Sequence, residues 1–542
     1  MLNLPTELAL QVIALLDTCT TLRDLTYDRT LWLGLYHWVR SFLPVPTPDS
    51  PSSHDPRAHN SSSLETLSQP SLEKLVVASL QVERSWLLPR PRILTRLVSP
   101  SAPMRSELSL SSLEFVRDRY LLAVYEQGMV DLWYMDTDMD KDGQWKDMKL
   151  YAWYAFDEDL GVLSSAHEVS VSEDGEVLYV AVTLAEVFIT RIISIRLDAE
   201  SANTIQRFDV VNGVDLSSPR VVRAIDVESG IALFSHVSSM DVVNWRTNTS
   251  VPITVHADDD LEELWNGITA MTFCGPYIVC FRARSIELYP IPSLPDTAPS
   301  SYTPHYPHLP VLIHRFSHIT FRRVSVSHRR PSPSTSPSSS LPTSYTLSFV
   351  GYDVFHGLFQ CLLTLTLAPV PSLTFALAAL HPVGIARDMV HAYASVFGAG
   401  AGKPAFVGAW ALGPQGRRGV WVERMRESLT TSLYAFSWDR TRQNVRPRLK
   451  ESVVVGEGPE DGDGAVDDSD AVDGIVVETE AESSDEEEVG FVRVQTGVPL
   501  MDGKIVMEVP SIDLREDITL CALSEATGRI ALGLRSGSIK IV

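Results

Sequence analysis

"LEFVRDRYLLAVYEQGMVDLWYM" occupies residues 113–135. It falls into three apolar runs, "LEFV", "YLLAVY" and "MVDLWYM", separated by the charged turn "RDR" and the Gly-containing turn "EQG". Short runs rich in Leu, Val, Tyr and Trp, bounded by such turns, read as consecutive strands. The same order returns in "VSVSEDGEVLYVAV" (169–182), "RAIDVESGIALFSHVSSMDVVNW" (223–245) and "ITAMTFCGPYIVCFRARSIELYPI" (268–291). Its cleanest copy is "LCALSEATGRIALGLRSGSIKIV" (520–542).

The second strands of the first four copies start at Tyr120, Val177, Gly230 and Tyr277, spaced by 57, 53 and 47 residues. A three-strand unit of this kind cannot bury both faces alone, so its recurrence predicts stacked neighbours. Strand signals continue from Tyr345 to Trp438, in "YTLSFVGYDVF", "PAFVGAWAL", "GVWVERM" and "SLYAFSW".

Residues 84–542 resemble WD40-type β-propellers. The resemblance rests on the blade pattern, on "VDLW" at Val130–Trp133 and on the final "GSIKIV". The Gly-His and Trp-Asp marks of that family are largely missing. The resemblance implies a mainly β protein with six or seven blades; a pair of β-sandwiches is the other architecture open to these strands. Apolar Ile530, Leu532, Ile539 and Ile541 predict that the last segment is tied into a sheet. Its expected partner is "RPRILTRLV" (90–98), which would close the ring and leave no bare edge.

The chain has 542 residues, 44% of them hydrophobic, enough for a large core. Its formal charge of −23 is unevenly placed. Residues 457–488 hold 15 Asp or Glu and no Lys or Arg, and the remainder carries −8. The acidity therefore belongs to one solvated segment, and no basic footprint for nucleic acid is left. "RRPSPSTSPSSSLP" (329–342) and residues 456–490 read as insertions with too little apolar surface to order themselves by burial.

Five cysteines stand at 19, 274, 280, 361 and 521, an odd number without a CxxC. They fit reduced thiols in the cytoplasm or nucleus. The apolar run 8–16 lacks a preceding basic region, the first Lys or Arg being Arg23, so it does not read as a signal peptide. Residues 354–386 hold no Asp, Glu, Lys or Arg. Pro369, Pro371 and Pro382 interrupt that run and "LLTLTL" alternates, which predicts a buried strand pair and no membrane span.

The first ~40 residues read as helices. Leu4, Leu8, Val12 and Leu15 line one helical face, Pro5 suits the first turn, and Leu10, Ile13, Ala14 and Leu16 cover much of the rest. A helix apolar nearly all round needs burial on two sides. The stretch "LPTELALQVIALLDTCTTLRDLTYDRTLW" (4–32) resembles an F-box, the helical motif that docks substrate receptors onto the Skp1-type adaptor of a ubiquitin ligase. "LPTELALQVIALLD" matches its first helix, and "CTTLRDLTYDRTLW" its last part, ending in Leu31 and Trp32. The family has a second helix between the positions of Asp17 and Cys19, where this chain has only Thr18. The resemblance implies adaptor contacts from Leu4, Pro5, Leu8, Val12, Leu16, Leu31 and Trp32. A helical hairpin that merely packs on the propeller is the plainer reading of the same residues. The expected division is an F-box-like segment at 1–43, a Pro/Ser-rich linker and short helix at 44–83, and a propeller at 84–542.

"DMDKDG" (138–143) spaces Asp138, Asp140 and Asp142 like the first calcium ligands of an EF-hand loop. Lys149 stands where a bidentate Glu belongs, and the flanks read as strands, so a solvated hairpin turn is expected. "GAGAGKP" (398–404) lacks the spacing and the hydroxyl of a phosphate loop. His305, His308, His314, His318 and His328 cluster without carboxylate or Cys companions, so no metal is expected. Ser332 and Ser336 precede proline, and Ser483 and Ser484 lead into "DEEE"; all four are candidate phosphorylation sites. No cofactor and no nucleophile signature is expected. The reading is a non-enzymatic substrate receptor of a Skp1–cullin-type ubiquitin ligase, partnered by a Skp1-like adaptor and a protein substrate. A propeller scaffold with a relic F-box is the alternative.

Overall fold

Seven sheets follow one another along the described residues, antiparallel except for a short parallel strand, Gln206–Arg207, beside Lys149–Ala155. In the computed structural model, residues 27–46, 67–87, 96–98, 109–437 and 501–542 are described, apart from connecting segments within those ranges, chiefly 136–147, 157–163, 255–265, 295–308, 330–343 and 382–404. Blades 1 to 6 span 110–155, 164–215, 221–254, 268–315, 323–381 and 405–510. Blade 7 takes three strands from 518–541 and its fourth from Arg96–Val98. The seventh sheet decides between the six and seven blades expected.

The first strand of every blade touches the first strand of the blade before it and the blade after it, round to blade 7 against blade 1. These strands are therefore the innermost, and the ring is closed. The core is divided accordingly, since each adjacent pair of blades shares one apolar cluster. Between blades 1 and 2, Leu122, Val124 and Tyr151 pack on Leu178, Val180 and Ile193. Between blades 7 and 1, Ala531, Ile539 and Ile541 pack on Leu121, Ala123 and Trp133. A pair of sandwiches would have two cores, and the cyclic set excludes it. The apolar run 354–386 forms strands Gly357–Thr366 and Ser372–His381 of blade 5, which pair with each other, the first also with Ser344–Asp353. No helix of the described residues is long and apolar enough to cross a membrane.

Closure occurs where the sequence placed it. Arg96, Leu97 and Val98 pair antiparallel with Ile541, Lys540 and Ile539. The turn before that last strand needs Gly537, whose φ of +80° strains a residue bearing Cβ.

Among the described residues, two helices precede the ring. Helix α1 (Arg29–Phe42) starts at Asp28, whose carboxylate accepts from the Thr30 amide at 2.8 Å and the Thr30 hydroxyl at 2.7 Å. Those bonds hold the Asp28 carboxyl below its usual range. Arg40 lies in the last turn, where a cation suits the helix dipole. Helix α2 (Gln69–Leu87) carries Pro70 in its first turn. Trp32, Tyr36 and Val39 of α1 meet Leu72, Val76 and Leu80 of α2 in a cluster separate from those of the blades. Helix α2 stands where a short helix after the linker was expected; it runs across the expected boundary at 83/84 and forms the second half of a helix pair.

Candidate functional site

Antiparallel blades give the ring two unlike faces. One carries the turns between first and second strands, the other the turns between second and third strands and the connections between blades.

On the first face, neighbouring turns hook one another. Ser327 Oγ donates to Pro414 O at 2.6 Å, from blade 5 to blade 6. Glu525 of blade 7 accepts from the amides of Gln415, Arg417 and Arg418 in the blade 6 turn, the last two at 2.6 and 2.9 Å. Burial pushes the Glu525 carboxyl up, and those three amides together with the Arg418 charge offset part of that. Ser524 Oγ donates to Asp118 at 2.7 Å, and Arg117 donates to Gly175 O, joining blade 7 to 1 and 1 to 2. Arg117 and Asp118 hold φ of +50° and +60°, so the turn that reaches both neighbours carries backbone strain.

The helix pair attaches to this face over blades 6 and 7. Arg418 is buried; its Nη2 donates to Glu83 of α2 and its Nη1 to Glu525 O at 2.7 Å. Its guanidinium lies 5.4 Å from the ring centre of Trp86, whose indole N–H donates to Phe436 O at 3.2 Å. Arg417 Nη2 donates to Ser41 O in the last turn of α1 at 2.9 Å.

The second face is knitted by polar groups of low exposure. In blade 4, Glu287 accepts from Arg282 at 3.0 Å, Ser285 at 2.9 Å and Tyr289 at 2.6 Å. Arg220 pairs with Asp241, Arg424 with Asp517 at 2.9 Å, and His381 with Glu423 at 2.9 Å. Asp353 accepts from the amides of Thr320 and His356 at 2.6 and 2.9 Å. Burial alone would raise its carboxyl, but these bonds and the His356 ring outweigh burial and hold it below its usual value. Charges of low exposure that meet an opposite charge or several donors hold the described turns of this face together.

Six of the seven innermost strands slip register near their start, at Ser111, Ser165, Arg223, Thr269, Gly408 and Thr519. A bulge frees carbonyls and re-aims side chains. Arg223 of blade 3 uses both effects: it donates to Ile268 O and Thr269 O of blade 4 at 3.2 Å each, and to Ser235 Oγ at 2.8 Å. Beside it, burial and the neighbouring Glu114 charge push Glu168 well above the usual carboxyl range, with Arg223 opposing. His167 Nε2 lies 2.9 Å from Ser112 Oγ and 3.6 Å from Glu114. Across the ring, Arg323 of blade 5 lies over Trp410 of blade 6, 5.3 Å from its ring centre. Glu114 and Glu168 thus stand on the innermost strands of blades 1 and 2, and Arg223 and Arg323 on those of blades 3 and 5.

The residues singled out in the sequence are distributed unevenly over this frame. Leu4, Pro5, Leu8, Val12 and Leu16 lie outside the described residues, as do Asp138, Asp140, Asp142, Ser332, Ser336, Ser483, Ser484 and the segment 398–404. The strands flanking the three aspartates, Met129–Tyr134 and Lys149–Ala155, pair with each other in blade 1, where an EF-hand would have helices. Leu31 is half-buried. Trp32, expected on an adaptor-facing surface, is fully buried against α2, so its ring serves the helix pair's own core. His314 stacks on Phe375, ring centres 4.9 Å apart, as a packing residue. No group of His, Cys, Asp and Glu among the described residues could hold a metal ion. Burial pushes the Cys274 and Cys521 thiols up to about 12, and those of Cys280 and Cys361 are raised as well, so these four offer no ready thiolate. Arg418, Glu525, Arg223 and Glu168 were not singled out. Their only signal was a charge inside or beside an apolar strand.

No family model and no curated protein matches the chain. Solved structures similar to it include the β-propeller domain of Myceliophteria thermophila Cps50 (Swd1), at 8% identity and a TM-score of 0.43, covering 83% of this chain and 99% of that one. The C-terminal WD40 domain of Sif2 is similar at 8% identity and a TM-score of 0.39, covering 80% and 95%. Kuenenia stuttgartiensis hydrazine synthase is similar at 12% identity and a TM-score of 0.38, covering 82% and 98%. These likenesses concern the course of the backbone.

Proposed function

We propose that the chain is a non-enzymatic substrate receptor of a Skp1–cullin-type ubiquitin ligase, holding a protein substrate on its propeller and a Skp1-like adaptor on its N-terminal segment. The observation that carries this reading is the placement of the helix pair. It is fastened to one face of blades 6 and 7 through Glu83, Trp86 and Ser41, and its described contacts leave the opposite face open. A receptor needs that separation, because the adaptor side and the substrate side must be engaged at once. Docking would fall to the apolar face of Leu4, Pro5, Leu8, Val12 and Leu16, with Leu31 at its edge. On the opposite face the described turns are cross-linked by polar contacts such as Arg282–Glu287 and Arg424–Asp517, a frame on which a partner could bind with less ordering cost.

The burial of Trp32 favours a second reading, a propeller scaffold whose F-box is a relic. Capture of the full chain from cells separates the two. The receptor reading expects a Skp1-type adaptor and a cullin to co-purify with it and to be lost when residues 1–27 are deleted. Recovery of the chain with neither, under conditions where a known F-box protein retains both, overturns it.

A further inference from the structure

We infer that the helix pair is a separable arm held on the propeller by a polar clasp centred on Arg418, so that the clasp, and no shared core, sets the arm's direction. The apolar side chains of α1 and α2 are spent on each other. Trp32, Tyr36 and Val39 meet Leu72, Val76 and Leu80 without a blade residue among them. Among the described residues, Trp86 is the one helix side chain that joins a blade cluster, the one shared by blades 6 and 7.

Val82 adds one small apolar contact, over Gly528 of the blade 7 turn, and the other described contacts of the junction are polar. The Arg418 guanidinium joins α2 to blade 7: it meets Glu83 and the face of Trp86 on α2 and the Glu525 carbonyl in blade 7. Its side chain is 1% exposed and that of Glu83 13%. A buried pair of this kind contributes little net stability while intact, but removing one partner strands the other charge in a poor solvent. Such a junction tends to be fully made or fully open. A shared apolar core would weaken by degrees.

The inference concerns the junction alone and holds whether or not an adaptor binds. It is tested on the full chain in a Cys19→Ser background, with spin labels at Arg40→Cys on α1 and Glu173→Cys on the blade 2 turn. Both positions are exposed. The unmodified junction should give one narrow distance distribution. Arg418→Met should broaden it severalfold. Glu83→Gln should broaden it too while leaving the Arg418–Glu525 link within the propeller intact, so it decides the matter if Arg418→Met does not fold. Circular dichroism should show the β signal unchanged in Glu83→Gln. Narrow distributions in the folded variants would mean that other contacts orient the arm. Unfolding of the propeller in Glu83→Gln would mean that arm and ring form one core. Either result overturns the clasp.

Discussion

Arg96 lies opposite Ile541 in antiparallel register, so a strand that precedes blade 1 completes blade 7. The ring is held shut by that pairing and by the apolar cluster that Ile539 and Ile541 share with blade 1. Removing residues 537–542 should strip the third strand from blade 7 and leave Arg96–Val98 without a partner. The expected result is aggregation or loss of soluble expression, read from yield and from the loss of a cooperative melt. Soluble protein with an unchanged melt would show that this strand is peripheral.

Glu525 joins blades 6 and 7 through three backbone amides. Glu525→Ala would leave those donors buried without an acceptor, at a cost of roughly 2–4 kcal/mol. The midpoint of urea unfolding should fall with little change in slope. An unaltered midpoint would mean that water replaces the carboxylate at no cost.

The Asp353 carboxyl is held below its usual value of 3.8. A depressed carboxyl contributes stability that is fully present above the unfolded value and is lost as pH falls through the folded one. Asp353→Asn should therefore be less stable than the parent at pH 7. The two should converge as the solution is acidified below 3.8. A difference independent of pH would show that the hydrogen bonds matter and the charge does not.

Glu168 has the opposite sign. Its folded value lies well above the usual 4.5, so the ionised group costs stability at neutral pH. Glu168→Gln should raise the melting temperature at pH 7, and the gain should shrink as pH falls toward 4.5. A loss at pH 7 would mean that its attraction to Arg223 outweighs the burial penalty.

The repeat was legible where a blade is short and its turns are charged or Gly-containing, as at residues 113–135 and 520–542. The closing strand was legible because its apolar alternation had to be covered by something. Blades 5 and 6 were harder to register. Blade 5 has strands of ten residues, and blade 6 spans 405–510 because a long insertion separates its last two strands. The helix pair was only half visible. The first ~40 residues read as helices, but nothing local said that Trp32 would meet Leu72 and Val76. The Arg418–Glu83 contact joins residues 335 positions apart. No spacing rule reaches that far, and each residue by itself reads as an ordinary surface charge. The bulges of the innermost strands were hidden too, since a register slip changes pairing without changing the apolar pattern much.

The central claim is that the N-terminal segment docks a Skp1-type adaptor, and calorimetric titration of the purified full chain with purified adaptor tests it most directly. The account predicts a one-to-one complex, with Leu8→Ala and Val12→Ala each weakening it by about 1–3 kcal/mol, or roughly 5- to 150-fold in Kd. Absence of binding by the unaltered, folded chain, or binding indifferent to both substitutions, would contradict it.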